Sequence, residues 1–201
     1  MRALFYDTET TGLPDFSAPS ESPHQPHIVQ LGAALVDLDK HDIIASIDLI
    51  VKPDVWQIPA DVAAVHGITT EYAAEVGVDE TLAVNMLLAL WAVANVRVGH
   101  NEQFDARILR IALKRFGHGD EFADKWKAGT AECTARLSTP IVALPPTPKM
   151  VAAKRFHHKT PNLGEAYQHF TGKPLEGAHS AMTDVLACMT VYRAIRDKAT
   201  A

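Results

Sequence analysis

The sequence contains little cysteine: Cys133 and Cys188 are the only two among 201 residues. Two cysteines are too few for a disulfide framework, and neither belongs to a CxxC pair that could bind zinc, so we expect a reducing compartment. The longest apolar run, Met86–Ala94, is much shorter than the roughly 20 residues of a membrane-spanning helix. The first residues also lack the basic and apolar parts of a secretory signal. We therefore predict a cytoplasmic protein that has no membrane partner.

Positive charge is scarce as well. Lysine and arginine together number 19 against 24 acidic residues, which leaves a formal charge of −5. Proteins that hold nucleic acid by bulk charge usually have a basic surface, so this balance argues against that class. The hydrophobic content of 47% is enough for a sizeable core, and the length predicts a single globular domain over residues 1–201.

The order of strand-like and helix-like patterns predicts a mixed α/β fold. Apolar runs predict three initial strands, near 3–7, 27–37 and 42–51, with the last two joined as a hairpin. Later segments are predicted to be helices at 59–65, 70–76, 82–95, 102–116, 163–170 and 181–197, a strand at 96–99, and a strand or turn near 132–133. Such an order is typical of a sheet that carries helices on its faces.

Two proline-rich stretches, 14–27 and 140–161, are predicted to be long mobile loops. The first follows the initial strand, where it would either cover a site or extend into solvent. The second contains a basic segment, 149–159, which has no acidic residue and whose four cations are Lys149, Lys154, Arg155 and Lys159. This segment also holds Phe156, and it is either a contact for an incoming nucleic-acid strand or a solvated charged loop.

Asp7 and Glu9 belong to the motif DTETTG, residues 7–12, at the end of the first predicted strand. Residues i and i+2 of a strand share a face, so the two carboxylates project side by side. Such close like charges disfavour joint ionisation unless a cation lies between them. Oxygen ligands without thiolates suit Mg²⁺. The alternative is a solvated strand end that runs into a glycine turn.

Two further aspartates stand near the start of predicted helices. Asn101 and Ser180 are predicted N-caps, which puts Asp105 and Asp184 each at the fourth helical position. Each aspartate begins the apolar stripe of its helix, where a carboxylate is rarely buried without a partner. A metal ion would be such a partner, and the alternative is an acidic residue favoured by the helix dipole. His179 precedes the second cap and is predicted to lie beside Asp184.

The chain resembles the DEDD exonucleases of the histidine subclass on five residues: Asp7, Glu9, Asp105, His179 and Asp184. That family includes proofreading (epsilon) subunits of replicative DNA polymerases, ribonuclease-T-type enzymes and oligoribonucleases. The tyrosine subclass has a tyrosine four residues before the last aspartate, whereas this sequence has a serine there and a histidine five residues before. The segment VHGI at 65–68 is similar to one that lines the nucleotide pocket of the proofreading group. The resemblance implies a ribonuclease-H-like fold with a five-stranded mixed sheet.

The resemblance also implies a reaction, the 3′–5′ hydrolysis of single-stranded nucleic acid, with DNA favoured over RNA, to nucleoside 5′-monophosphates. Two divalent ions, Mg²⁺ or Mn²⁺ in its place, would flank the scissile phosphate. Asp7 would bridge both ions, Glu9 and Asp184 would complete the first site, and Asp105 would hold the second through water. His179 would be the general base. Contacts to the terminal nucleotide would come from Thr10, Thr11, Gly12, Leu13, His66, Asn101 and Phe104.

Several alternatives stay open at the level of the sequence. A DNA polymerase is a candidate partner, and replication, repair and RNA turnover are all compatible with the motifs. A non-catalytic ribonuclease-H-like module and a hydrolase of small oligoribonucleotides are the competing functions. Leu13 and Phe104 have an ordinary core explanation beside base stacking. The net negative charge becomes a weaker argument against nucleic-acid binding, because two divalent ions would add four positive charges and change the net charge from −5 to −1.

Overall fold

The computed structural model describes residues 1–117 and 119–200, and within them five strands form one sheet. The strands are β1 (Arg2–Thr10), β2 (Ile28–Asp37), β3 (Asp42–Ile50), β4 (Val96–Gly99) and β5 (Ala131–Cys133). Their spatial order is β3-β2-β1-β4-β5. β2 is antiparallel to both β1 and β3, whereas β4 is parallel to both β1 and β5. The expected five-stranded mixed sheet is therefore confirmed.

β1 and β2 are central because their sequences are apolar on both faces. Nine of the ten residues of β2 are buried, as expected for a strand that helices cover from both sides. The register places Asp7 of β1 opposite Gly32 of β2. β3 lies at the edge of the sheet and has only exposed and half-buried residues.

Helices cover the sheet and account for most of the rest of the described chain. They are α1 (Ala60–His66), α2 (Thr70–Val76), α3 (Glu80–Trp91), α4 (Gln103–Arg115), α5 (Gly119–Ala128), α6 (Thr134–Val142), α7 (Pro148–Ala152), α8 (Leu163–Thr171) and α9 (Ala181–Thr200). All six predicted helices are present, with ends shifted by at most four residues. None of these helices, all within the described residues, is both long enough and apolar enough to cross a bilayer.

The sequence patterns did not predict α5, α6 and α7. α5 is largely charged, and its place is determined by the fully buried Trp126, which packs edge-on against Tyr6 at 5.5 Å. α6 contains Pro140, a residue that normally ends a helix, and α7 has only five residues. Tertiary packing therefore overrides weak local helix propensity in this part of the chain.

Two apolar layers lie on opposite faces of the sheet. Side chains of α3, α4 and α5 pack with Leu4 and Tyr6 of β1 on one face, whereas α9 packs with Ala3 and Phe5 on the other. This division follows from the alternation of side chains along a strand. On the second face, Phe5 meets Tyr192 of α9 edge-on at 5.3 Å.

The predicted loop 14–27 has no helix or strand, as expected, but α4 holds it in place. Arg107 donates to the carbonyl oxygens of Asp15 and Ala18, and Arg115 donates to those of Gln25 and Pro26. The Gln25 side chain is itself buried and donates to the carbonyl of Asp15 at 2.9 Å. Hydrogen bonds from two arginines of α4 thus hold the loop against this helix.

The second predicted loop, 140–161, contains more regular structure than expected. The end of α6 and the whole of α7 lie within it. An antiparallel bridge also joins Leu144 to Lys159, with the Lys159 N–H donating to the Leu144 carbonyl at 3.0 Å. The proline count suggested an unbroken loop, whereas Pro148 occupies the first turn of α7, a position where proline is well tolerated.

A buried ion pair connects β4 to the start of α4. The Arg97 Nε donates to Glu102 at 2.6 Å, and Tyr6 donates its hydroxyl to the same carboxylate oxygen at 2.8 Å. Arg97 also donates to the carbonyl of Trp126 and lies over its ring at 4.6 Å. Both charged side chains are almost fully shielded from water. Each therefore depends on the other for compensation of its charge.

Replacing Arg97 with methionine should lower the free energy of unfolding by about 3–5 kcal/mol, because Glu102 would remain buried without a cation. Thermal unfolding monitored by circular dichroism would report a Tm lowered by roughly 10 °C for a chain of this size. Arg193→Met is a matched control, since Arg193 pairs with Asp197 only on the exposed surface. We expect the control to change the free energy by less than about 1 kcal/mol. Equal losses in the two variants would contradict this account.

Candidate active site

The carboxyl ends of β1 and β4 lie at the same edge of the sheet because the two strands are parallel. Asp7 and Glu9 occupy the end of β1, and α4, which carries Asp105, begins shortly after β4. The start of α9 brings Asp184 to the same edge. The fold therefore gathers four carboxylates from three separate segments.

Asp7 and Glu9 are half-buried neighbours on one face of β1. Burial raises the pKa of Asp7 well above its usual value, and the charges of Asp105, Asp184 and Glu9 add to the rise. Burial together with the nearby Asp184 raises the pKa of Glu9 to about 7. The two carboxylates thus stand where a negative charge is costly without a cation.

Gly32 allows α9 to approach the sheet closely. A Cβ atom on Gly32 would lie only 2.6 Å from the carbonyl carbon of Ala181, the first residue of α9. Next to it, the side-chain oxygen of Gln30 accepts a hydrogen bond from the Ala181 N–H at 3.1 Å. Since Gly32 pairs with Asp7, this contact brings the first turn of α9 beside the end of β1.

His179 and Asp184 are held together around the start of α9. Ser180 directly precedes the helix, and its carbonyl accepts the N–H of Asp184 at 2.9 Å, so Asp184 is the fourth helical residue as predicted. His179 has a left-handed backbone, with φ of 68°, and its N–H donates to Asp184 Oδ2 at 3.3 Å. Ligand atoms of Glu9, His179 and Asp184 all lie within 4.8 Å of one another.

Asp105 is almost fully buried and is bound to β1 through one residue. Thr8 donates both its N–H and its hydroxyl to Asp105 Oδ1, at 2.9 and 2.7 Å. Burial nevertheless raises the pKa of Asp105 to about 7, because these hydrogen bonds offset only part of its cost. This arrangement ties Asp105 to the strand that carries Asp7.

The predicted N-cap at Asn101 is wrong. Asn101 has a left-handed backbone with φ of 67°, whereas an N-cap residue is normally extended. α4 begins at Gln103 after Glu102, which makes Asp105 the third helical residue instead of the fourth. The physical reason is that the Glu102 side chain pairs with the buried Arg97, so residues 100–102 form a turn instead.

The donor set fits a divalent cation. Among the described residues, Asp184 Oδ1 is a buried oxygen that has no hydrogen-bond partner. The pKa values of Asp7, Glu9, Asp105 and Asp184 are all raised, with burial as the largest cause. Hard divalent ions take carboxylate oxygens as ligands and would relieve both the burial and the repulsion.

The residues expected to contact a nucleotide differ in their exposure and in their hydrogen bonds. Thr10 donates its hydroxyl to the carbonyl of Gly12, and Thr11 joins the start of β2 through hydrogen bonds with His27. Leu13 is 85% exposed, which excludes the core explanation for this residue. Phe104, by contrast, is partly buried against the core of α3, α4 and α5.

His66 lies close enough to His179 for the two to interact electrostatically. Burial and the charge of His179 both lower the pKa of His66. Its Nδ1 accepts the N–H of Ile68 at 3.1 Å, whereas its Nε2 is buried and, within the part of the chain that is described, has no partner. His100 instead has a structural place, between the Thr134 hydroxyl and the Pro161 carbonyl.

Three residues that position the cluster were not singled out from the sequence: Thr8, Gln30 and Gly32. Gln30 and Gly32 interrupt the apolar run of β2 with a polar side chain and with no side chain at all. A glycine inside a strand often marks a close approach of another backbone, so this signal was present in the sequence. Nothing in the sequence distinguishes Thr8 from the other threonines of its motif.

A carboxylate cluster with a histidine, on a mixed sheet of this order, defines the class of DEDD-type, ribonuclease-H-like exonucleases. The family model described as Exonuclease (RNase T) matches residues 4–192, and the chain belongs to this family. The resemblance noted in the sequence is thereby confirmed at the level of the family. Comparison with curated proteins found no match.

Solved structures of exonuclease I have the same fold. E. coli exonuclease I in complex with a dT13 oligonucleotide is 20% identical, with a TM-score of 0.73 over 97% of this chain and 41% of that chain. The zinc-bound form of the E. coli exonuclease I–ssDNA complex is 19% identical, with a TM-score of 0.71 over 98% and 41%. Exonuclease I from Methylocaldum szegediense is 21% identical, with a TM-score of 0.67 over 98% and 40%.

This chain thus spans about two fifths of the length of those exonuclease I chains. These similar structures are of exonuclease I, and they give no support to the polymerase partner that the sequence suggested.

Replacing Gly32 with alanine should separate the start of α9 from the sheet, because the new methyl group would overlap the Ala181 backbone. We expect a loss of about 1–3 kcal/mol of stability from overpacking and a smaller rise in Tm on addition of Mn²⁺. Gly164→Ala is the matched control: its Cβ would meet Asn162 Oδ1 at an ordinary 3.6 Å, inside helix α8. The control should be at least as stable as the wild type. A full Mn²⁺ response in Gly32→Ala would contradict the positioning role.

The raised pKa values predict how metal binding depends on pH. Glu9 and Asp105, with pKa values of about 7, are protonated below that pH and must lose their protons to become ligands. Because burial raises these two pKa values, the protonated carboxyls contribute to the free energy of unfolding of the metal-free protein at low pH. This contribution is lost as the pH rises through 7. The rise in Tm caused by Mn²⁺ should therefore grow from pH 6 to pH 8.

Differential scanning calorimetry over this pH range measures the stability of the metal-free protein when a chelator is present and the rise in Tm when Mn²⁺ is added. The double variant Glu9→Gln/Asp105→Asn is the control, since amides do not titrate, and its Mn²⁺ response should be small at every pH. An Mn²⁺ response in the wild type that is equal at pH 6 and pH 8 would argue against these two residues as ligands.

Proposed function

We propose that the protein is a metal-dependent 3′–5′ exonuclease that hydrolyses single-stranded DNA from its 3′ end and releases nucleoside 5′-monophosphates. The observation that carries the proposal is the convergence of four carboxylates and His179 at one edge of the sheet. Membership of the exonuclease family supports hydrolysis of phosphodiester bonds. The preference for DNA is supported by the oligonucleotides bound to E. coli exonuclease I.

Asp7, Glu9, Asp184 and Asp105 would hold two divalent ions, with Mg²⁺ the proposed metal and Mn²⁺ a substitute. Asp7 is the residue proposed to contact both ions, because its carboxylate interacts with those of the other three. Asp105 has one oxygen committed to Thr8, which favours its proposed role through a water molecule. When bound, the ions would stabilise charge on the phosphate oxygens and lower the pKa of a coordinated water.

His179 is proposed to take the proton from the attacking water. Its side chain is exposed and lies beside Asp184, so it can reach a water molecule at the cluster. The left-handed backbone at His179 allows its N–H to turn towards the Asp184 carboxylate. Histidine suits this role because its ordinary pKa is closest to neutral pH among the side chains.

The terminal nucleotide is proposed to lie against residues 10–13, with His66, Asn101 and Phe104 as further contacts. The exposed side chain of Leu13 offers an apolar surface for a base. The unpartnered Nε2 of His66 offers a polar contact close to His179. Thr10 and Thr11 hold the turn in shape through their own hydrogen bonds.

A time course on 5′-labelled oligo(dT) and oligo(U), with Mg²⁺ or Mn²⁺, tests the proposal. A ladder that shortens by one nucleotide at a time, faster on DNA, is the expected result. Hydrolysis restricted to di- and trinucleotides of RNA would instead identify a small-oligoribonucleotide hydrolase. No hydrolysis of any substrate would leave the non-catalytic module as the better description.

The variants His179→Ala and Asp7→Ala should each lose hydrolysis, by at least about 100-fold for the general base. Both should stay folded, and Asp7→Ala should keep or raise the Tm of the metal-free protein, since it removes a buried carboxyl group that the other three carboxylates disfavour in its charged form. His169→Ala, at an exposed position on α8, is the control and should retain full activity. Rates near that of the wild type in either site variant would disprove the mechanism.

A further inference from the structure

The basic segment 149–159, here called the basic arm, is exposed at every position from 151 to 158. Three of its cations, Lys149, Lys154 and Arg155, form no ion pair with any residue in the described ranges. No acidic residue lies within the arm, while the whole chain has a charge of −5. The arm is therefore a local positive patch on an otherwise acidic protein.

The base of the arm is rigidly attached. Thr147 caps α7 through its hydroxyl, which accepts the N–H of Met150 at 3.2 Å. At the other end, Lys159 bridges to Leu144 through the backbone, and its ammonium pairs with Glu165. Glu165 itself completes the capping box of α8. Among contacts within the described ranges, Lys159 at the base is thus the cation of the arm whose side chain holds the fold.

The tip of the arm is also ordered by backbone hydrogen bonds. The Arg155 N–H donates to the Met150 carbonyl at 2.8 Å, and the Lys154 N–H donates to the Val151 carbonyl at 2.9 Å. Lys154 has a left-handed backbone with φ of 57°, which closes the chain after α7. This turn fixes the places at which the two cations and the next residue, Phe156, leave the backbone.

Phe156 is 71% exposed, which is unusual for an aromatic side chain with no polar atom. It stands directly between Arg155 and two histidines, His157 and His158. Aromatic rings set among cations are the elements with which proteins bind single-stranded nucleic acid, through base stacking and phosphate contacts. Burial in a core does not explain this ring.

The arm lies close to the candidate active site. His100 follows β4 directly, at the edge where the carboxylates gather, and its Nε2 contacts the Pro161 carbonyl at 3.1 Å. Phe156 is five residues from Pro161, and five extended residues span at most about 17 Å. The tip of the arm is thus within about 17 Å of the residue that contacts His100, at the end of the sheet where the carboxylates gather.

We infer that the basic arm binds the single strand upstream of its 3′-terminal nucleotide, with Lys149, Lys154 and Arg155 against phosphates and Phe156 stacked on a base. This inference rests on the proposed exonuclease function. It assigns the affinity for long strands to the arm and leaves cleavage to the carboxylates. The dependence of kcat/KM on the length of the substrate then reports on binding by the arm.

The test compares Lys154→Ala/Arg155→Ala with Lys40→Ala/Lys127→Ala, which removes the same charge from exposed positions elsewhere. Steady-state rates are measured on a thymidine 5′-monophosphate nitrophenyl ester and on oligo(dT) of 2, 4, 8 and 12 nucleotides. We expect the arm variant to lose at least tenfold in kcat/KM on the 12-mer and to match the wild type on the ester. The control variant should match the wild type on all substrates.

Binding measured without turnover separates the arm from the chemistry. Fluorescence anisotropy of labelled dT12 with a chelator, at several salt concentrations, should give a salt slope about 1.4 smaller for the arm variant, since each lost single-strand contact removes about 0.7. Phe156→Ala should weaken binding about 5- to 150-fold, and Phe156→Tyr should restore it.

The outcomes distinguish the two proposals. Equal length dependence and equal salt slopes in the arm and control variants would overturn the arm inference while leaving the exonuclease intact. A wild type that binds dT12 through the arm but hydrolyses nothing would overturn the exonuclease and retain the arm. Binding of the wild type to anionic phosphatidylserine vesicles, but not to dT12, would identify a different acidic partner and also overturn the inference.

Discussion

Mutual repulsion among carboxylates that are held out of water is the constraint on which the site depends. Oxygen atoms of Glu9 and Asp184 lie within 4.8 Å, and two full charges at that distance repel by at least about 3 kcal/mol even at an effective dielectric constant of 20. A whole domain is stable by only about 5–15 kcal/mol. In the metal-free protein, burial and repulsion raise the pKa values of these carboxyls and so lower the charge of the cluster. The surrounding structure, here called the scaffold, must also hold the carboxyls together.

That scaffold is built from neutral contacts and from one ion pair whose charges compensate each other. Gly32 lets the backbone of α9 meet β2, and Thr8 holds Asp105 with two hydrogen bonds. Between β1 and β4, the buried group of Tyr6, Arg97 and Glu102 fixes where α4 begins. Each connection joins an element that carries a carboxylate to the central strands, so the geometry of the cluster is determined by the core.

The sequence predicted the parts of this arrangement that follow from local periodicity. The two-residue period of a strand was enough to pair Asp7 with Glu9, and apolar stripes located the helices of Asp105 and Asp184. Local rules failed where a distant partner decides the outcome. Asn101 is not an N-cap because Glu102 is bound by Arg97, and α5 forms because Trp126 packs on Tyr6. The closeness of α9 to β2 likewise depends on a contact between residues some 150 positions apart.

The loop at 14–27 illustrates how such distant contacts change the behaviour of an irregular segment. Its carbonyl oxygens accept hydrogen bonds from Arg107 and Arg115, and its Ser20 hydroxyl is the partner of Arg110. A protease must draw several residues of a loop into an extended form, which here requires breaking the bonds to α4. We therefore expect the loop to open together with the helix of Asp105, and not on its own, when the protein unfolds locally.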